Sequence, residues 1–199
     1  MTKTRLEAFS DGVIAIIITI MVLELKVPHD PSPEALRELL PVLLGYVLSF
    51  VNVGIYWNNH HHMLHLAGRI NGRILWANLH LLFWLSLIPF TTGWMDENHF
   101  APLPTAVYGV VLFFAGVAYL ILQGAIIAEQ GPGSRLAAAV GGDVKGKASA
   151  VLYLSAIPLA FVHSGIAGGI YLLVATMWLV PDRRIEGREH EHSHEGQAD

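Results

Sequence analysis

Residues 105–128 read TAVYGVVLFFAGVAYLILQGAIIA and contain no charged side chain. At a rise of about 1.5 Å per residue, a helix of this length extends for roughly 36 Å, whereas the hydrocarbon core of a bilayer is about 30 Å thick. The stretch therefore predicts a helix that crosses a membrane.

Similar runs lie on the N-terminal side of this stretch. Residues 39–56 and residues 74–95 carry no charge, and each run is long enough for one crossing. A further apolar run, residues 12–23, is shorter than the bilayer core is thick and has polar residues at both ends. We interpret these runs as three more membrane spans.

On the C-terminal side, residues 148–180 form a charge-free run that is too long for one crossing. His163, Ser164 and Gly165 interrupt it near its middle. We therefore expect two short helices in a hairpin. The chain is predicted to be an all-α integral membrane protein with six transmembrane helices per subunit.

The composition agrees with a chain surrounded by lipid. Hydrophobic residues make up 53% of the 199 positions and charged residues 14%, a balance that is unusual for a soluble domain. Cysteine is absent, which excludes disulfides and thiolate chemistry. The pattern predicts no enzymatic activity, no nucleic-acid partner and no small-molecule substrate.

The basic residues are distributed unequally along the six predicted spans. Six crossings place ten of the twelve Lys and Arg residues on one side, and only Lys26 and Arg37 on the other. The ten are Lys3, Arg5, Arg69, Arg73, Arg135, Lys145, Lys147, Arg183, Arg184 and Arg188. The positive-inside rule then predicts that both termini are cytoplasmic, which an even number of crossings also requires.

The chain divides into a transmembrane domain, residues 1–181, and a tail, residues 182–199. The tail is charged and contains EHEHSHE at residues 189–195, without the apolar side chains that a packed core needs. We expect a disordered cytoplasmic tail, although a histidine-rich stretch is also a composition that binds transition metals.

Ionisable groups at the ends of the spans are candidates for function, because polar groups are costly inside a membrane. Residues 5–11, RLEAFSD, place Asp11 at the cytoplasmic start of the first span. Trp57, His60 and Asn78 fall at the same depth on the second and third spans. Their donors are expected to pair with Asp11, while an interfacial belt of Trp and His is the competing interpretation.

A metal site is the other interpretation of the histidines. His61 and His65 stand four residues apart, as metal ligands on one helical face often do. However, His80, His99 and His163 occur singly along the chain, so a buried site lacks ligands. We predict no metal site, and the sequence does not assign a role to His61, His62 or His65.

One stripe of the first span combines Ile16, Thr19, Ile20 and Leu23 at the i, i+3, i+4, i+7 spacing. Periodicity alone cannot select this face, because the helix is apolar all round. A short span with polar ends is better placed at the centre of an assembly than at its rim. We therefore expect this helix to be central.

The residues at the start of the first span resemble a known family. Arg5, Phe9, Ser10 and Asp11, followed by an Ile-rich run, are similar to the bacterial branch of the endosomal and lysosomal potassium channels called transmembrane protein 175. The resemblance continues in Ser49-Phe50, Trp57 with His60, Trp76 with Asn78, and Ile88-Pro89-Phe90. The last three spans match in spacing and hydropathy only.

The resemblance implies a homotetramer in a bacterial plasma membrane, with helix 1 lining a central pore and no cofactor besides the permeant potassium ion. Ile16, then Ile20 and Leu23, would narrow the pore, and the hydroxyl of Thr19 would favour potassium over sodium. In the same comparison, Ser10 and Asp11 would bond to Trp57, His60 or Asn78.

Three other functions stay open. A secondary transporter needs intramembrane charge near the midplane, whereas Asp11 and Glu24 lie at helix ends. A metal-binding membrane protein would use the cluster of histidines. An assembly protein would conduct no ions at all.

Overall fold

The computed structural model describes residues 2–179 of the chain, and its regular elements in that range are helices. In order they are α1 (Lys3–Met21) with a 3₁₀ turn (Val22–Glu24), α2 (Pro33–His65), α3 (Gly72–Ser86), α4 (Ile88–Glu97), α5 (Pro102–Gln130), α6 (Arg135–Val140), α7 (Val144–Val162) and α8 (Ser164–Leu179). The predicted tail, residues 182–199, lies outside the described residues, so the boundary at 181 stays a prediction.

Five segments of the described chain are long and apolar enough to cross a bilayer. They are Lys3–Glu24, Pro33–His65, Gly72–Glu97, Pro102–Gln130 and Val144–Val162. The sixth predicted span is α8, an apolar helix of 16 residues that packs along α7. The prediction of an all-α, multi-pass membrane protein is confirmed, and the number of six crossings stays a prediction.

The hairpin predicted near residue 163 is present. α7 ends at Val162, His163 adopts an extended conformation with φ −162° and ψ 113°, and α8 begins at Ser164. His163 still donates to the carbonyl of Leu159 at 2.9 Å, but its extended backbone ends the helical conformation, and the N–H of Gly165 bonds to His163 Nδ1 at 3.0 Å instead of to a carbonyl one turn earlier. The two helices therefore turn back on each other.

The first span is longer than its charge-free run, which corrects the expectation of a short helix. α1 begins at Lys3 and, with its 3₁₀ turn, extends for 22 residues to Glu24. Two charged residues of its first turns have partners: the Lys3 ammonium donates to the carbonyl of His65 at 2.7 Å and lies 3.9 Å from the Glu7 carboxylate. Its length therefore gives no reason to place this helix centrally.

The third span bends at Leu87, where α3 ends and α4 begins. Pro89 explains the break, because it has no N–H to donate to the carbonyl one turn earlier and its ring crowds that carbonyl. The result is a span in two segments, of which the second, α4, packs against both α1 and α2.

The core is organised around α5, which packs against α3 and α4 on one side and against α7 and α8 on the other. Small residues let these helices approach closely. A Cβ on Gly109 would lie 2.2 Å from the hydroxyl oxygen of Tyr171, which donates to the carbonyl of Thr105 at 2.9 Å. α1 packs against α3 and α4, α2 packs against α1, α4 and α8, and both helices leave long faces exposed.

Candidate functional site

Helix α1 has one face packed against the subunit and one face exposed. The packed face, at most 2% exposed, consists of Leu6, Ser10, Ile14, Ile17 and Met21. The opposite face carries Ile16, Ile20 and Leu23, whose exposed fractions are 61%, 40% and 77%. The four residues of the predicted stripe are all exposed in the single subunit, since Thr19 is exposed as well.

Thr19 is the polar member of the stripe. Its hydroxyl donates to backbone carbonyls of its own helix, with oxygen distances of 2.9 Å to Ala15 and 3.0 Å to Ile16. This is the usual way for a threonine hydroxyl to be satisfied inside a membrane helix. The stripe therefore exposes aliphatic groups interrupted by one hydroxyl oxygen.

Three of the predicted anchor residues meet in one buried network in the N-terminal half of α3. The Asn78 amide donates to the Ser10 hydroxyl oxygen at 2.9 Å, and the Ser10 hydroxyl donates to the carbonyl of Leu6 at 2.9 Å. Because the Asn78 amide nitrogen faces Ser10, its carbonyl oxygen faces His60, whose Nε2 donates to it at 2.7 Å. The network joins α1, α2 and α3, and its three side chains are at most 1% exposed.

Asp11 lies outside this network. The indole of Trp57 donates to its carboxylate at 3.0 Å, but Trp57 is 44% exposed and can also bond to water. Of the three donors predicted for Ser10 and Asp11, Trp57 is the one that bonds to Asp11 and Asn78 is the one that bonds to Ser10, while His60 bonds to Asn78.

Arg5 and Phe9 belong to neither set of hydrogen bonds. Both side chains are exposed, Phe9 to 49%. Phe9 continues the exposed face of α1 toward the N-terminal end of the helix. Their predicted role in the motif stays a prediction, and in this subunit their surfaces are open to neighbours.

The remaining histidines of α2 form a partly exposed stack. The rings of His61 and His65 are 6.4 Å apart and nearly parallel, at 19°, and Trp57 lies 6.2 Å from His61. Across residues 2–179, no group of three or more His, Cys, Asp or Glu side chains is arranged to hold a metal ion. A pair of adjacent rings without further ligands is an aromatic contact rather than a built metal centre.

A second buried polar cluster was not predicted from the sequence. Ser49 of α2 bonds to Thr92 of α4 at 2.7 Å and to Tyr108 of α5 at 3.0 Å, and Asn52 donates to Tyr108 at 3.4 Å. The available signal was the spacing of Gly45, Ser49 and Asn52, small or polar residues on one face of an otherwise apolar helix.

Comparison with known proteins shows which proteins this chain resembles. A sequence profile described as "Endosomal/lysosomal potassium channel TMEM175" matches residues 5–89, which include α1, α2 and α3. A potassium channel of Chryseobacterium sp. (strain P1-3) is 54% identical over 186 residues, covering 94% of this chain and 97% of that protein.

The chain belongs to the TMEM175 family.

Other relatives agree with this assignment. A potassium channel of Streptomyces collinus is 34% identical over 126 residues, covering 59% of this chain and 61% of the relative. The crystal structure of a lysosomal potassium-selective channel TMEM175 homolog from Chamaesiphon minutus superposes with a TM-score of 0.78 at 27% identity, covering 89% of this chain and 96% of that one. The fold is thus that of the TMEM175 family, whose members are channels rather than enzymes.

Proposed function

We propose that this TMEM175-family protein is a potassium-permeable channel, in which four copies of the chain surround a pore lined by α1. The observation that carries the proposal is the exposed aliphatic face of α1, which a single subunit leaves uncovered. Ile16 is 61% exposed, whereas Ile17, the next residue, is 2% exposed. The names of the bacterial relatives support potassium as the permeant ion.

The constriction is formed by Ile16, followed by Ile20 and Leu23 toward the outer end. A ring of isoleucine side chains offers a permeant ion nothing to replace its lost hydration, so such a ring gates by dewetting. Potassium is favoured over sodium because it loses its water more easily. Thr19 adds one hydroxyl oxygen per subunit between the aliphatic rings.

Within each subunit, the buried Ser10–Asn78–His60 network fixes α1 against α2 and α3. With the exposed face fixed by this network, four copies present the same stripe to one axis. Both termini lie in the cytoplasm of a bacterial cell, as the distribution of the basic residues favours. The channel uses no cofactor or metal and acts as a homotetramer in the lipid bilayer.

The proposal is tested by potassium flux into liposomes that contain the purified protein. Ile16→Asn places amides in the narrowest ring, hydrates it and removes the dewetting barrier. We expect the flux to rise and the preference for potassium over sodium to fall. Because vertebrate relatives are named proton channels, proton flux is measured in the same liposomes.

Ile17→Asn is the matched control, because it introduces the same group one residue away. Ile17 is buried among the other helices, so its replacement is expected to lower stability without raising the flux. If Ile17→Asn opens the channel and Ile16→Asn leaves flux and selectivity unchanged, the pore face has been assigned to the wrong stripe. Liposomes that conduct no potassium with any variant contradict the channel itself.

A further inference from the structure

A buried carboxylate without a partner lies at the outer end of α4, away from the exposed face of α1. Asp96 is 4% exposed, and within residues 2–179 its Oδ1 atom has no hydrogen-bond partner. The carboxylate rests on the backbone of α2, where a Cβ on Gly45 would lie 2.0 Å from Oδ1. A charge held there would be uncompensated, which is among the costliest arrangements in a protein.

The hydroxyl cluster one turn further in does not supply the missing bond. Thr92 donates to the carbonyl of Ile88 at 2.7 Å, so its oxygen accepts from Ser49. Ser49 in turn accepts from Tyr108. Every hydroxyl hydrogen of this cluster is therefore committed, and none is left to stabilise a negative charge on Asp96.

The charged groups near Asp96 on α4 and on the segment between α1 and α2 do not neutralise it. On the exposed surface, Lys26 donates to Glu97, a hydrogen bond that raises the pKa of Lys26 and keeps it paired. One turn before Asp96, the Glu24 carboxylate rests on Gly93, where a Cβ would lie 2.7 Å from its oxygen. The nearest groups on this side are thus a second acid and an ion pair that is already formed.

On α2 and α5, the groups that lie near Asp96 are neutral. α2 presents Gly45, and α5 presents Tyr108, whose ring lies 5.3 Å from that of Tyr171 on α8. Phenols of this kind carry no charge near neutral pH. The cheapest way to hold the Asp96 carboxyl in this packing is to add a proton.

We propose that Asp96 is a proton-binding site in each subunit, separate from the pore, whose occupancy controls the packing of α2 against α4. With the proton bound, the carboxyl stays against Gly45 as the structure shows. When the proton leaves, the charged group moves toward water and separates the two helices. Glu24, at the end of the 3₁₀ turn that follows α1, packs on Gly93 of α4. A motion of α4 therefore reaches the outer end of α1 and regulates the channel proposed above.

The site is tested first by a measurement that does not need conduction. Infrared spectra of the purified protein, recorded as the pH is raised, distinguish a protonated carboxyl from an ionised one. We expect a buried-carboxyl band that disappears with rising pH in the wild type and in Asp30→Asn, which changes an exposed acid of the segment between α1 and α2. The band is expected to be missing at every pH in Asp96→Asn.

The coupling to the pore is tested by potassium flux at varied pH on the outer side. The wild type and Asp30→Asn, which retains the Lys26–Glu97 pair, should show the same pH dependence. Asp96→Asn, which cannot ionise, should remove that dependence while retaining flux. Gly45→Ala, which pushes the carboxyl out of its seat, should shift the infrared titration to lower pH.

A carboxyl band that Asp96→Asn retains, or a pH dependence that it leaves unchanged, overturns the proposal. So does a wild-type flux that is independent of outer pH. If no variant conducts potassium, the proposed channel function fails, and the infrared titration still decides whether Asp96 binds a proton.

Discussion

Replacing Asn78 by leucine tests whether the buried network fixes α1. Asn78 is fully buried and makes two side-chain hydrogen bonds, one to Ser10 and one from His60. Leucine has a similar shape but no polar atoms, so the Nε2–H of His60 would be left buried without an acceptor, which costs about 1 to 3 kcal/mol. Ser10 keeps its own donated bond to Leu6, and its lost bond adds about 1 kcal/mol.

The expected loss of stability for Asn78→Leu is therefore roughly 2 to 4 kcal/mol. It is measured by unfolding the protein in mixed micelles and following the tryptophan fluorescence. Removing both polar partners in a His60→Leu, Asn78→Leu double variant should recover part of this loss, because no donor is then stranded. A double-mutant cycle gives the coupling, expected at about 0.5 to 3 kcal/mol.

Asp11→Ala is the control variant for Asn78→Leu. It removes the acceptor of the Trp57 indole, which is 44% exposed and can bond to water, so we expect a loss below about 1 kcal/mol. An Asn78→Leu protein as stable as the wild type would show that the buried network does not fix α1. An Asp11→Ala protein that loses as much stability as Asn78→Leu would show that Asp11 contributes equally to fixing α1.

Two further predictions concern packing and topology. Gly109→Ala places a methyl 2.2 Å from the Tyr171 oxygen and should cost about 1 to 3 kcal/mol in the same unfolding assay, whereas Gly124→Ala, with no atom within 4 Å, should be neutral or slightly stabilising. Equal losses for the two glycines would contradict the close approach of α5 and α8. Tags at both termini should be protected in intact cells and labelled only after permeabilisation, and a tag labelled from outside would contradict the six-span topology.

The spans and the hairpin could be predicted from the sequence because lipid imposes a length on every charge-free run. The length of the first span was underestimated because only its charge-free run was counted. Asp11 ended the charge-free run but not the helix, which begins at Lys3, where the charges of Lys3 and Glu7 have partners. Charge therefore marks where a span leaves the lipid rather than where its helix begins.

For the polar contacts, the sequence predicted only the depth in the membrane at which each side chain lies. Sequence placed Ser10, Asp11, His60 and Asn78 near one plane of the membrane, and the structure brings three of them together. Which donor reaches which acceptor depends on helix rotation, and a helix that is apolar all round gives no signal of its rotation. Asp96 was missed because it lies at the end of a run, where an acid is expected to meet water.

The hydrogen bonds of Thr19 affect whether cations or anions pass through the proposed pore. Its hydroxyl hydrogen points back to the carbonyls of Ala15 and Ile16, so the oxygen turns lone pairs away from the helix. In the proposed tetramer, four such oxygens form a ring of partial negative charge and offer no donor to a chloride ion. The pore would thus reject anions without a single ionised side chain on its wall.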